Sequence, residues 1–279
     1  MPDIGFSLQK QYDRPLTQVI PLLKEAGFFA VSPLWSPELD LGTLAACVRS
    51  HGMKLQSLHA PHKGSPELWS RDPALSQEVT GRFLRCIDDC ARFDIPILVV
   101  HSWQGLFYTF RGDDLHFESF DRIVAHAQAH GVAVAFENLD GEEYLHALMA
   151  RYSHLPHVGF CWDSGHDHCF PHKTDFLQTF GHRLIMTHLN DNWGLRDPNG
   201  IPCGDDDLHF LPFDGNLDWD SVLEKLKAAP TQSILNFELK LTSHSKRPGD
   251  LLYKNTPLEA FLKEAGSRAR LIAEKYANV

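Results

Sequence analysis

The sequence predicts one (β/α)8 barrel spanning residues 1–279. Three observations predict it. Short apolar runs alternate with segments whose apolar residues recur at helical spacing. The apolar runs are continuous rather than alternating, as in strands of a parallel sheet covered on both faces. Eight such units fit the usual barrel length of about 250 residues. A doubly wound open sheet is the main alternative, but no Gly-rich phosphate loop follows the first strand.

The elements follow in order. Ile4–Leu8 is the first expected strand, with a helix over Pro15–Ala26 closed by Gly27. Phe28–Ser32 is the second strand, and Leu39–His51 a helix stopped by Gly52. Leu55–His59 is the third, followed by a Pro-, Ser- and Trp-containing loop and a helix over Leu75–Phe93. Ile95–His101 is the fourth, with a helix over His116–His130 stopped by Gly131. Val132–Glu137 is the fifth, followed by a short helix over Glu142–Arg151. Val158–Trp162 is the sixth, breaking into a small-residue turn and then a helix over Lys173–Phe180. Leu184–Leu189 is the seventh, and a long polar loop, Asn190–Asn216, leads to a helix over Leu217–Ala228. Ser233–Leu239 is the eighth strand and Pro257–Tyr276 the closing helix.

Composition narrows the function. The formal net charge is −10 with 17 histidines counted neutral. An acidic surface repels phosphodiester backbones, so a general nucleic-acid coat is not expected. The abundance of histidine, the commonest metal ligand, hints at a metal. Six cysteines occur without a CxxC pair, which fits free thiols in a reducing compartment. No signal peptide is evident and no apolar run reaches the roughly 20 residues of a bilayer span, so a cytoplasmic protein is expected.

The strand ends carry the chemistry. The third strand ends at His59, with His62 three residues on, and the fourth at His101. The fifth ends at Glu137 and the sixth at Asp163, with His166 just beyond. The seventh ends at His188 and the eighth at Glu238, while the long loop carries Asp207 and His209. In a closed barrel these positions converge over the mouth. Glu137, Asp163, His188 and Glu238 offer three carboxylates and an imidazole, a set that suits Mn²⁺, Co²⁺, Mg²⁺ or Zn²⁺. If Glu137 bridges, His59 and His101 complete a second site; His166, Asp207 and His209 could hold a third. Carboxylates crowded without a cation would be electrostatically poor.

Each residue has a plainer reading. A carboxylate at Glu238 between apolar neighbours is costly unless paired, which favours the metal role. Asp163 could be only a helix N-cap, but His166 beside it favours function. His59 and His101 could be hydrogen-bonded core residues, and for Asp207 and His209 the two readings weigh equally. Asp167, His168 and Asp191 read as supporting or solvated groups, and His116, His126, His130, His154, His157 and His182 as surface residues. Trp69, Trp103 and Trp193 sit in loops above the expected mouth, where they could stack on a sugar or serve as loop anchors.

The chain resembles the xylose isomerase-like barrel superfamily. The carriers are Leu58-His59-Ala60-Pro61, Val100-His101, Phe136-Glu137-Asn138, Trp162-Asp163-Ser164-Gly165-His166, Thr187-His188-Leu189-Asn190-Asp191, Asp207-Leu208-His209, Phe213 to Trp219, and Phe237-Glu238. Together they cover nearly the whole chain. The superfamily holds sugar isomerases, ketose 3-epimerases, inosose-processing enzymes and abasic-site nucleases of the endonuclease IV type. The resemblance implies that Glu137, Asp163, His188 and Glu238 are the shared metal ligands. In the epimerases the positions of Glu137 and Glu238 also shuttle protons, and that of His166 holds a substrate oxygen. In the nucleases the positions of His59, His101, His166, Asp207 and His209 complete a three-zinc cluster, and all those ligand types are present here. The acidic stretch Asn138-Leu139-Asp140-Gly141-Glu142-Glu143 departs from the nuclease pattern and would repel DNA.

The expectation is therefore a divalent-metal-dependent isomerase or epimerase of a small sugar, sugar phosphate or polyol, with one to three ions. Glu137, Glu238 and His166 are the catalytic candidates, and His62, Trp103 and Lys240 the substrate-binding ones. The alternative is a zinc-dependent phosphodiesterase acting on abasic DNA. A barrel that binds sugar without turnover is the non-enzymatic alternative. A small-molecule partner is expected, no membrane, and homo-oligomerisation is left open.

Overall fold

The computed structural model describes residues 1–8, 12–241 and 252–278. The strands are β1 (Asp3–Leu8), β2 (Ala30–Pro33), β3 (Lys54–Leu55), β4 (Ser57–His59), β5 (Ile97–His101), β6 (Ala133–Glu137), β7 (Val158–Asp163), β8 (Leu184–His188) and β9 (Ile234–Phe237). Parallel pairing gives the two arcs β3-β2-β1-β9 and β4-β5-β6-β7-β8. Two single bridges join the arcs into a ring: Leu34 with His59, and Leu189 with Phe237. The sheet is therefore closed, and the open doubly wound alternative is excluded. β3 and β4 are one barrel strand interrupted at Gln56, whose N–H still donates to Val31 O at 2.9 Å.

The helices α1 (Leu16–Glu25), α2 (Leu41–Ser50), α3 (Pro73–Arg92), α4 (Glu118–Ala129), α5 (Glu142–Arg151), α6 (Ser164–Cys169), α7 (Phe176–Phe180), α8 (Trp219–Lys227) and α9 (Leu258–Asn278) complete the chain. Several begin at an aspartate. Asp40, Asp72, Asp175 and Asp218 each accept a backbone N–H of the first turn, which satisfies an otherwise orphaned donor. Asp175 explains why α7 starts later than the expected Lys173. α6 replaces the expected turn after the sixth strand; six residues are too few to display a helical period.

Side chains alternate along each strand, and the alternation builds the site. Leu98, Val100, Val134, Phe136, Phe160 and Trp162 face the helices in the main core. Val99, Ala135, Cys161 and Met186 form a separate small cluster inside the ring. Two residues further along those strands stand His101, Glu137, Asp163 and His188, paired in register as His101 with Glu137 and Asp163 with His188. Compact side chains floor the barrel, and donors and carboxylates form the next layer above them. Among the described residues, no helix is long and apolar enough to cross a membrane. All six cysteines are free.

Candidate metal centre

Glu137 is the hub. It is fully buried at the end of β6. Its Oε2 lies 3.1 Å from His59 Nε2 and 3.3 Å from His101 Nε2. Its Oε1 lies 2.9 Å from His188 Nδ1 and 3.5 Å from His166 Nδ1. One carboxylate thus faces two separate imidazole groups, the position of a bridging ligand. Glu238, immediately beyond β9, places Oε2 at 2.8 Å from the same His188 Nδ1. Asp163 joins Glu137, His188 and Glu238 in a four-residue set. In the long loop, His209 Nε2 stands 2.9 Å from Asp207 Oδ2, and His166 Nε2 approaches the same oxygen at 3.7 Å.

The nine predicted donors therefore assemble as three sets: His59, His101 and Glu137; Glu137, Asp163, His188 and Glu238; and His166, Asp207 and His209. Within each set one donor atom per residue lies within 4.8 Å of all the others. Donors bonded at about 2.1 Å to one ion sit about 3.0–3.4 Å apart, depending on geometry, close to the shorter contacts found here.

The chain supports these donors with backbone carbonyls. His59 Nδ1 donates to Ala60 O at 2.6 Å, and His166 Nδ1 to Asn138 O at 2.9 Å. His209 Nδ1 donates to Glu238 O at 3.0 Å. A carbonyl only accepts, so each ring carries its proton on Nδ1 and turns Nε2 inward. An unprotonated Nε2 aimed at a carboxylate is repulsive unless a proton or a cation lies between them. The buried Asp207 Oδ1 also has no hydrogen-bond partner among the described residues. A buried bare carboxylate oxygen is costly, so the donor set fits a bound cation.

Electrostatics agree. Burial pushes the Glu137 carboxyl up, but His188 and His101 outweigh it and hold the group well below the usual carboxylate range. For Glu238, His188 and His209 likewise overcome burial. Asp207 is held low by His209 and Lys240 against the same opposition. Asp163 is raised by burial, which its neighbouring imidazoles only partly offset. Glu137, Glu238 and Asp207 are thus held toward the ionised form by the positive charge around them, while Asp163 is not.

Asp163 has the geometry of both readings weighed in the sequence. It caps α6 by accepting from His166 N at 2.8 Å, and it also lies in the four-residue donor set. Two asparagines, not singled out from sequence, hold it. Asn190 Nδ2 donates to both its oxygens at 3.0 Å. Asn138 Oδ1 accepts from Asp163 N at 2.8 Å, and Asn138 Nδ2 donates to Asp163 O at 2.9 Å. Asn138 and Asn190 each directly follow a strand-end segment bearing a ligand candidate, the one signal that could have marked them. Asp191 is fully buried and anchors the long loop. It accepts from Asn192 N, Phe213 N, Leu217 N and Trp219 Nε1 at 2.9–3.1 Å.

The three candidate substrate contacts divide. The His62 ring stacks on His101 at 5.2 Å between centroids and meets His59 edge-on. Lys240 Nζ reaches to 3.8 Å from Asp207 Oδ2. Trp103 instead joins an aromatic group: one face stacks on Tyr144 at 4.3 Å, and Nε1 donates to Gly105 O. Trp69 is buried and donates to Ser102 O, while Trp193 donates to Asp214 O. All three tryptophans anchor loops. Of the acidic stretch, Glu142 accepts from Lys173 N and Thr174 N, and Glu143 from the Tyr108 hydroxyl.

Comparisons with known proteins agree with this architecture. The chain is 31% identical over 270 residues to an uncharacterized protein, y4fM, of Sinorhizobium fredii (strain NBRC 101917 / NGR234), covering 82% of this chain and 83% of that one. An uncharacterized protein of Methanocaldococcus jannaschii, MJ1311, is 24% identical over 187 residues, 60% of each chain. Among solved structures, an IOLI protein with a bound zinc atom superposes with a TM-score of 0.74 at 18% identity, covering 99% of this chain and 98% of the other. An L-ribulose 3-epimerase gives 0.73 at 16% identity, covering 100% and 96%. D-psicose 3-epimerase of Clostridium cellulolyticum H10, solved with D-tagatose, gives 0.70 at 13% identity, covering 99% of each chain. A family model described as xylose isomerase-like TIM barrel matches residues 20–258, nearly the full ring of strands, and the chain belongs to that family.

Proposed function

We propose that this protein is a divalent-metal-dependent isomerase or epimerase of a small sugar, sugar phosphate or polyol. The observation that carries the reading is the meeting of two carboxylates, Glu137 and Glu238, at His188 Nδ1, 2.9 and 2.8 Å away. A two-base proton transfer needs two carboxylates flanking a substrate held at the cation, and these two are close enough to serve one such position. The likeness of the fold to two 3-epimerases supports the same class. Zn²⁺ or Mn²⁺ suits the donors, with Co²⁺ or Mg²⁺ as alternatives. When bound, the ion supplies Lewis-acid polarisation of adjacent substrate oxygens.

The chain's own residues do the rest. One of Glu137 and Glu238 removes the proton alpha to the carbonyl, and the other returns it to the resulting enediolate. Glu238 is the more open, with 14% of its side chain accessible against none for Glu137. His166 holds a substrate oxygen through Nε2, since Nδ1 is committed to Asn138 O. Incubating the protein with a panel of ketoses, ketose phosphates and inososes in D₂O tests the reading. Deuterium should enter the carbon next to the carbonyl, and Glu238→Gln should abolish conversion of substrate to product. Full conversion in that variant would overturn the role of Glu238.

A second reading, a zinc-dependent phosphodiesterase acting on abasic DNA, is favoured by the three neighbouring donor sets, two of which share Glu137. Charge separates the two. Glu137, Asp163, Asp207 and Glu238 against Lys240 leave minus three; one divalent ion gives minus one and three ions give plus three. By this sum a singly loaded site repels a phosphodiester, and loading beyond one ion turns the sign to attraction. Three zinc ions per chain and nicking of an abasic duplex would favour this second reading over the first.

A further inference from the structure

A second donor cluster lies at the other end of the molecule. In a barrel each helix runs against its neighbouring strands, so helix C-termini sit opposite the mouth. At that end, Asp88 in the last turns of α3 faces His126 and His130 at the end of α4. His126 Nε2 lies 2.7 Å from Asp88 Oδ1, and His130 Nε2 lies 3.8 Å from the same oxygen. The two imidazoles are four residues apart on one helix face, with ring centroids 4.1 Å apart. One donor atom from each of the three residues lies within 4.8 Å of the others.

We propose that Asp88, His126 and His130 form a separate binding site for a borderline transition-metal ion, Zn²⁺, Ni²⁺ or Cu²⁺. Four features carry it. His130 Nδ1 donates to His126 O at 2.9 Å, which fixes that ring's proton on Nδ1 and frees Nε2 to face Asp88. Among the described residues, Asp88 forms ion pairs with these two histidines alone. The nearby Arg85 and Arg92 lie over the rings of Trp35 and Phe93 instead. The site also sits at the C-terminal end of α4, where exposed carbonyls favour a cation.

The geometry needs little adjustment. Three ligands around one zinc at about 2.1 Å stand roughly 3.3 Å apart. The 2.7 and 3.8 Å contacts bracket that spacing, and the three side chains are 29–56% accessible, so small rotations suffice. Two imidazoles favour a transition metal over Mg²⁺ or Ca²⁺, which prefer oxygen donors. Three protein donors leave a fourth position for water. A bound ion would tie α3 to α4.

The test counts ions. Wild-type protein and the His126→Ala/His130→Ala variant are dialysed side by side against micromolar zinc and measured by inductively coupled plasma mass spectrometry. The variant should hold one ion fewer per chain with unchanged circular dichroism. Equal counts would overturn the proposal. Asp88→Asn keeps the shape and removes the charge; it should lose the same ion, and retention at wild-type affinity would overturn the three-donor site. Both chains share the same barrel mouth, so ions bound there cancel in the comparison.

Discussion

Gly165→Ala should destabilise the protein, although Gly to Ala inside a helix normally stabilises by about 1 kcal/mol. Gly165 lies in α6, and a Cβ built there falls 1.8 Å from Asn190 Oδ1 and 2.7 Å from its Cγ. Non-bonded carbons and oxygens do not approach so closely, and Asn190 is fully buried. Either Asn190 leaves Asp163 or α6 shifts and carries His166 with it. Losing both Asn190 hydrogen bonds to the Asp163 carboxylate costs about 1.5–3 kcal/mol each. Subtracting the gain in helix propensity leaves a net loss of about 2–5 kcal/mol. At about 2–4 °C per kcal/mol for a chain of this size, the midpoint should fall by roughly 4–20 °C. Thermal and urea unfolding measure it. Asn190→Ala removes the obstructing group, so in that background Gly165→Ala should cost less than about 1 kcal/mol. A Gly165→Ala protein as stable as wild type, or an undiminished penalty in the double variant, would refute the reasoning.

Other outcomes follow from the same contacts. Asp191→Ala leaves four donors of the long loop and the start of α8 without their acceptor and should cost about 4 kcal/mol or more, read by urea unfolding; a loss under about 1 kcal/mol would contradict the anchoring role. A chelator should lower the thermal midpoint and added Zn²⁺ or Mn²⁺ restore it, since a ligand of the folded state alone contributes about 2.7 kcal/mol at a hundredfold excess over its Kd. Asp121 is held below the usual carboxylate range because hydrogen bonds from Arg151 and Tyr152 outweigh its burial. A depressed acid adds stability above its unfolded pKa, near about 4, and loses it as pH falls through the folded value. Asp121→Asn should therefore show a shallower loss of stability below about pH 4, and an unchanged acid limb would contradict that pairing.

Much of this was legible in the chain because parallel strands write themselves as apolar runs. The run Ile97–His101 must bury both faces, and its last inward position is then a ligand candidate by necessity. The same reasoning marks Glu137, Asp163, His188 and Glu238 as ligand candidates. The break at Gln56 was not legible, because one polar residue in an apolar strand looks the same whether it interrupts pairing or not. Nor was the helix after Asp163, whose six residues are mostly small or polar. The supporting asparagines escaped because a loop amide has no spacing that betrays its partner. Asn190 meets Asp163 across 27 positions of chain, and the parallel pairing of β7 with β8 brings them together. Trp103 carried an aromatic signature that fits a sugar wall and a packed anchor equally, and Tyr144 occupies one of its two faces.

The most direct measurement is the metal content of the purified chain after saturation with Zn²⁺ or Mn²⁺ and gel filtration in metal-free buffer. Asp163→Ala/Glu238→Ala protein serves as the reference. The wild type should retain at least one ion per chain that the reference lacks. Wild-type protein that emerges with no more metal than the reference would contradict the claim that Glu137, Asp163, His188 and Glu238 hold a cation at the barrel mouth.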